Sequence, residues 1–305
     1  MSFSILASTF ANNILPILLI GGAGFALGKT LHIDPRSLGR VVFYVFSPVL
    51  IFNLLLQNRL KMNEALGVIV LTICIIAAMG LITYLLGTLF RLERPALIAI
   101  LITTMFANTG NYGLPLVAFA FGEEALSYAG IFFVTTTLLF YTVGVLIASL
   151  GHMSLKDAAL GLLRIPTLYA VLLAILINNL GIQLPGPIAR AVDLAAGGTI
   201  PLMLILLGVE LTRVELTGSL RAMQLSVFLR LVVAPLIALF LAGLFGINTY
   251  ARQASVTEAS MPSMVSATVL ATEYQLDSKL VTAVIFISTL LSPLTLTPLL
   301  VFLGK

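Results

Sequence analysis

Ten runs of mainly apolar residues follow one another along the chain, at 6–31, 36–57, 65–90, 95–121, 126–150, 165–181, 187–211, 222–246, 249–272 and 279–303. Each is close to the ~20 residues that a helix needs to cross a hydrocarbon core. Composition agrees with that reading. Only 9% of residues are charged and 60% are hydrophobic, with a mean hydropathy of +1.13, whereas a soluble domain carries about a quarter charged residues. The expected fold class is an all-α membrane protein of ten transmembrane helices, multi-pass in the cell membrane, with the lipid bilayer as its main surroundings.

The few charges then orient the spans. One alternating set of loops holds Lys29, Arg36, Arg40, Arg91, Arg94, Lys156, Arg164, Arg213, Arg221 and Lys279; the opposite set holds Arg59, Lys61, Arg190, Arg252 and Lys305. Cytoplasmic loops are the richer in Lys and Arg, so ten against five puts both termini outside. The net charge of +4 is scattered over these loops, a pattern of membrane orientation rather than of nucleic-acid binding. The single Cys74 excludes a disulfide framework or cysteine metal cluster. His32 and His152 fall in loops and make no metal site without a third ligand. The opening "MSFSILASTFANN" lacks the positive n-region of a signal peptide.

The two halves resemble each other in outline. Pro48, mid-span in "VFYVFSPVLIFNLLL", is matched 153 residues later by Pro201 in "GGTIPLMLILLGVEL". Thr137 of "VTTTLLF" and Thr289 of "ISTLLSP" are offset by 152, and Pro115 and Pro262 by 147. Five spans per half is an odd number, so the second half enters the membrane from the opposite side. The expectation is a five-plus-five inverted repeat, an arrangement many secondary transporters use. The first repeat occupies 1–150, a cytoplasmic connector 151–164, and the second repeat 165–305.

Within the fourth run lies "FANTGNYGLP" (106–115), with two asparagines, two glycines and a proline at membrane depth. Unpaired backbone groups cost several kcal/mol each in hydrocarbon, so irregular backbone there must be buried in protein or line a cavity. Pro115 removes a donor and clashes with the preceding turn, and Gly110 and Gly113 permit positive φ. Span four is expected to break here, and span nine at Pro262. Each proline would then open a new half-helix, with N–H groups and positive dipole ends facing the gap, an arrangement that favours an anion.

The pattern Asn108-Thr109-Gly110-x-x-Gly113-Leu114-Pro115-Leu116 resembles the fourth-span motif of the auxin efflux carrier family. "ASMPSMVSATVLATEY" (259–274) is similar to that family's ninth span and "FSPVLIFNLLL" (46–56) to its second. The resemblance covers nearly the whole chain and implies a two-domain fold shared with the bile-acid sodium symporters. Spans 1, 2, 6 and 7 would form a scaffold, and spans 3–5 and 8–10 a moving transport domain. Broken spans 4 and 9 would cross at the substrate site, in a homodimer joined through the scaffold. Such relatives carry auxin in plants and dicarboxylates in bacteria. The plant Asn-Pro opening of the motif is absent, position 112 is Tyr, and the loop "GHMSLKDAALGLLRIP" is short. Those departures point to a bacterial organic-acid carrier.

The substrate-binding candidates are Asn53, Asn108, Asn111, Tyr112, Gly113, Pro115, Ser260, Pro262 and Ser263. Asn108 and Asn111 either cap a half-helix or contact substrate, and Tyr112 either offers its hydroxyl or packs in the core. Glu258, with Thr109, is the candidate for ion or proton coupling, because an intramembrane carboxylate is expensive and functional by default. The resemblance to the symporters implies Na⁺ there; H⁺ is the other candidate cation, and an ion pair with Arg230 is the structural alternative. Asp193, beside "AAGG", suits helix packing. No cofactor is expected.

Three classes of function compete. A secondary carrier of a small organic anion, working by alternating access, fits the paired breaks. A sodium-coupled carrier of the symporter type is a variant of it, and an anion channel would want rings of charge or carbonyls. An intramembrane enzyme would need a motif such as His-Glu-x-x-His, which the sequence lacks.

Overall fold

The computed structural model describes residues 2–57, 60–149, 163, 165–212 and 219–304. Of the connector 151–164, everything but Leu163 lies outside the described residues, and so does His152. The described chain is helical almost throughout. We label the helices α1 (Phe3–Thr30), α2 (Pro35–Gln57), α3 (Met62–Leu89), α4 (Arg94–Met105), α5 (Thr109–Ala148), α6 (Pro166–Leu180) and α7 (Gly186–Leu211). The remainder are α8 (Leu220–Phe245), α9 (Thr249–Ala259), α10 (Ala267–Glu273) and α11 (Ser278–Phe302). Among the described residues α1, α2, α3, α5, α7, α8 and α11 are long and apolar enough to cross a membrane; α4 and α6 are shorter apolar helices.

Local chemistry sets the ends. Asp34 caps α2 by accepting from the N–H groups of Arg36 and Ser37, with Pro35 in the first turn. Asn248 caps α9 through Ala251 N–H at 2.8 Å, and Asp277 caps α11 through Leu280 N–H at 3.0 Å. Gly181 and Gly246 close α6 and α8 in the left-handed region, at φ 63° and 58°. Gly122, at φ 78° and ψ −169°, bends α5 into two arms, 109–121 and 123–148. The sequence reading joined the first arm to span four and made the second span five, and this bend is that boundary.

Packing sorts the helices into two groups. In the first, α1 lies against α7, α6 against α2, and α7 against α2. The α1–α7 contact is a close approach of backbones. A Cβ on Gly208 would strike the backbone of Gly21 and Phe25, and one on Gly24 would strike that of Ile205. Small residues drive helix association in lipid because they allow this. Thr199 ties α7 to the Phe46 carbonyl of α2 at 3.2 Å, and Asn178 of α6 donates to the Leu55 carbonyl at 2.8 Å. In the second group, α9 packs on α5, α3 on α4, α5 and α8, and α11 on α4, α8 and α10.

Candidate functional site

The second group is built around two interruptions. The helical path stops at Met105 and resumes at Thr109, and stops again at Ala259 and resumes at Ala267. The two gaps meet as an antiparallel pair of extended residues, Ala107 opposite Ser263. Asn108 N–H donates to the Pro262 carbonyl at 2.8 Å and Met264 N–H to the Phe106 carbonyl at 3.0 Å. Backbone that would be orphaned in hydrocarbon is thus satisfied by the other break. Neither break can be healed alone without unpairing its partner.

The restart at Thr109 is stepwise. Asn108, at φ −77° and ψ 64°, is the centre of an inverse γ-turn closed by Thr109 N–H on the Ala107 carbonyl at 2.8 Å. A π-helical turn, Thr109–Gly113, follows, its Gly113 N–H reaching back to the Asn108 carbonyl at 3.0 Å. Pro115 comes only after that turn, where the path becomes regular α-helix, so Thr109 and not Pro115 opens the half-helix.

Two further expectations need correction. Gly110 and Gly113 are not in the left-handed region; both serve close approach. A Cβ on Gly110 would come within 2.9 Å of the Phe133 ring, and one on Gly113 would overlap the Glu258 carboxylate. Pro262 does not open a half-helix either. It lies inside the second gap, and α10 begins only at Ala267, because the Pro262 carbonyl is held by Asn108.

The predicted residues divide by what their side chains touch. Asn108 is buried, forms no cap, and its Nδ2 has no partner. Asn111, half-buried, donates from Nδ2 to Glu210 Oε2 at 3.3 Å. Tyr112 is buried, its hydroxyl accepting from Ser292 Oγ at 3.2 Å. Ser260 bonds back to the Val256 carbonyl at 2.6 Å, and Ser263 Oγ donates to the Thr103 carbonyl at 2.8 Å. Asn53 stands apart from the crossover: it accepts from Gln57, which also donates to Asp193, so this polar cluster joins α2 to α7.

Glu258 and Arg230 are both fully buried, and the ion pair considered between them does not form. The Arg230 guanidinium instead donates to three backbone carbonyls: Met261 from Nε at 2.8 Å, Thr104 from Nη1 at 2.7 Å, and Ala259 from Nη2. These carbonyls lie at or beside the C-terminal ends of α4 and α9, where the last C=O groups lack helical partners and the dipole is negative. One cation closes both ends. Both oxygens of Glu258 are without a hydrogen-bond partner, as are the hydroxyls of Thr109, Thr136, Thr137, Ser255 and Thr257. A buried carboxylate against a glycine Cα, with Thr257 and Ser255 hydroxyls unspent on the same helix, can hold a proton or a small cation. Among the described residues no group of three His, Cys, Asp or Glu could hold a metal ion.

Sequence reasoning missed Glu210. In "GVELTR" it stands at a helix end beside a basic residue, the usual place of an interfacial charge, and nothing local shows that α7 delivers it to Asn111. It also missed the Arg230 carbonyl clamp, since backbone acceptors leave no trace in sequence.

The comparisons with known proteins agree with a membrane-spanning chain. The chain is 33% identical over 291 residues to an "uncharacterized transporter" of Methanothermobacter thermautotrophicus, covering 93% of this chain and 94% of that one. It is 30% identical over 298 residues to another so described in Methanocaldococcus jannaschii, again over 93% and 94%. With residues 9–300 matching the membrane transport protein family, the chain belongs to that family, the auxin efflux carriers, and is a multi-pass membrane protein.

Proposed function

We propose that the protein is a secondary carrier of small organic anions, mono- or dicarboxylates, across the cell membrane by alternating access. The observation that carries this reading is the meeting of the two breaks, Ala107 against Ser263, with the Asn108 amide left over inside it. A donor buried without a partner costs about 1–3 kcal/mol, and a bound carboxylate would recover that cost. The nearby Arg230 charge and the restart of α5 at Thr109 add positive potential of the sign an anion needs. In this reading Asn108, Asn111, Tyr112, Gly113, Pro115, Ser260, Pro262 and Ser263 line the site, and Asn53 serves the scaffold. Glu258, with Thr109 nearby in the fold of the break, carries the coupling H⁺ or Na⁺.

Ten crossings in an inverted repeat complete the proposal, with α4 plus the first arm of α5 as span four and α9 plus α10 as span nine. Support comes from the contacts. A pseudo-twofold exchanging residues about 153 apart maps α1 on α6 and α2 on α7, and the α1–α7 and α2–α6 contacts are then copies of each other. Thr199 bonds Phe46, its own counterpart 153 residues earlier, as happens where such an axis passes. The α1–α2–α6–α7 group is the scaffold, with the homodimer contact, and the other group slides against it.

The test is counterflow in proteoliposomes with a panel of carboxylates. Saturable counterflow of at least one is expected, with Glu258→Gln removing its dependence on a Na⁺ or pH gradient while the protein stays folded. Unsaturable flux without counterflow would make the protein a channel.

A further inference from the structure

The Glu210–Asn111 hydrogen bond has a property that the other polar links described above lack. Those stay inside one packing group: Thr199–Phe46 and Asn178–Leu55 in the first, and Ser263–Thr103 and Ser292–Tyr112 in the second. Glu210 stands on α7 and Asn111 in the first turn of α5, so their 3.3 Å contact crosses from one group to the other. It also engages, at the crossover itself, an amide donor of the kind a carboxylate substrate needs. The acceptor already holding that donor is a carboxylate oxygen.

We propose that Glu210 is an internal competitor for the transported anion: its carboxylate holds Asn111 in the empty carrier, and a substrate carboxylate takes Asn111 when Glu210 is protonated. The proposal rests on the anion-carrier reading. Two carboxylates sharing one site do not both stay ionised, since like charges in poor dielectric raise the proton affinity of one of them. Anion binding and protonation of Glu210 therefore favour each other reciprocally. The sign follows. Anion affinity is full where Glu210 is protonated in the empty carrier and falls about tenfold per pH unit as pH rises beyond that titration. Release of Asn111 also unties α5 from α7, so the event that admits substrate frees one group to move past the other.

The other charged or titratable groups do not compensate Glu210 in this arrangement. On α7 itself and the elements packed against it these are Arg190 and Asp193 of α7, Lys29 of α1, Arg36, Arg40 and Tyr44 of α2, and Tyr112, Glu123, Glu124, Tyr128 and Tyr141 of α5. Arg190, Asp193, Glu123 and Glu124 are exposed, and the Tyr141 ring packs on Phe43 and Phe140. Lys29, Arg36, Arg40 and Tyr44 are exposed. Tyr112 is engaged with Ser292, and Tyr128 with Glu64 and Asn248. Arg213 lies outside the described residues.

Two measurements on the full-length protein in nanodiscs and proteoliposomes test this. The first is hydrogen–deuterium exchange of residues 109–113 at neutral and acid pH, corrected for chemical exchange rates. Protection should fall on acidification in the wild type and be low at both pH values in Glu210→Gln. Should that variant not fold, Glu210→Asp, one methylene too short to reach Asn111, should show the same low protection. Protection indifferent to pH and to both substitutions overturns the proposal. The second is counterflow of radiolabelled succinate and acetate against pH. Apparent affinity should fall with rising pH in the wild type and stay at its acid value in Glu210→Gln. If acid weakens uptake, or the Gln variant loses affinity, Glu210 attracts a cation and the competitor role is wrong. A pH-sensitive latch with no carboxylate transported by the wild type would instead sink the anion reading and this proposal with it. Transport with an insensitive latch would sink only this proposal.

Discussion

At the residue scale, the crossover is held by groups whose neighbours leave almost no tolerance. Gly113 is the sharpest case, because its missing Cβ is the space the Glu258 carboxylate occupies. Overpacking a filled site costs typically 1–3 kcal/mol, so Gly113→Ala should lower thermal stability by about that much. Its cause is specific, and the double variant Gly113→Ala/Glu258→Ala tests it. Truncating Glu258 removes the obstructing atoms, so the pair should lose less stability than the sum of the singles, by a coupling of at least ~0.5 kcal/mol. Melting curves of the four proteins measure that coupling, and strict additivity would mean that the carboxylate swings clear. Ser263→Ala deletes a buried donor to the Thr103 carbonyl, a loss of about 1 kcal/mol. Being smaller, it should leave the Ala107–Ser263 backbone pair intact.

At the element scale, Arg230 does for the helix ends what a bound cation would otherwise do. It sits in a π-helical turn of α8, Leu229–Val233, and its three carbonyl partners come from α4, from α9 and from the gap after α9. Removing it leaves those carbonyls unpaired at ~1–3 kcal/mol each. Arg230→Met should therefore destabilise the protein by several kcal/mol, with Arg230→Lys in between because a single ammonium cannot span three acceptors. Thermal unfolding in detergent orders the three; a Met variant as stable as the wild type would show that the carbonyls find other donors. How legible the fold was follows from the same distinction. Apolar runs are long and their ends carry Pro, Gly, Asp and Asn, so most helices could be read, and so could an interruption within 106–115, though not its position at 106–108. The pairing of the breaks rests on backbone atoms, and the π-turns on hydrogen-bond register, and neither depends on side-chain type. The sequence therefore expected Pro115 to open a half-helix that Thr109 opens one turn earlier, expected of Pro262 a role it does not have, and paired Arg230 with a carboxylate when its partners are carbonyls. The candidate site was legible as a place but not as a set of contacts, since Glu210 reaches it from 99 residues away.

At the scale of the whole molecule, the surface is that of a chain solvated by lipid. Leu236, Phe240 and Leu244 on α8, and Leu290 and Leu294 on α11, are all more than half exposed. In water such faces would aggregate; in a bilayer they cost nothing and fix only the depth of the helices. Orientation must then come from the loops, where Lys and Arg stand ten to five. Each such residue kept on the cytoplasmic side adds to the bias, and long loops that would escape the rule are absent from the sequence. The prediction is that both termini face outward. In a Cys74→Ser background, single cysteines at Ser2 and Gly304 should react with an impermeant maleimide in intact cells. One at Ser154, in the connector, should react only after the membrane is opened. Because the two repeats are inverted in this reading, the ends of the first and last helices share a face, so Ser2 and Gly304 must label alike. Labelling of one terminus alone would make the number of crossings odd and break the five-plus-five reading, while labelling of Ser154 alone would keep that reading and reverse its direction.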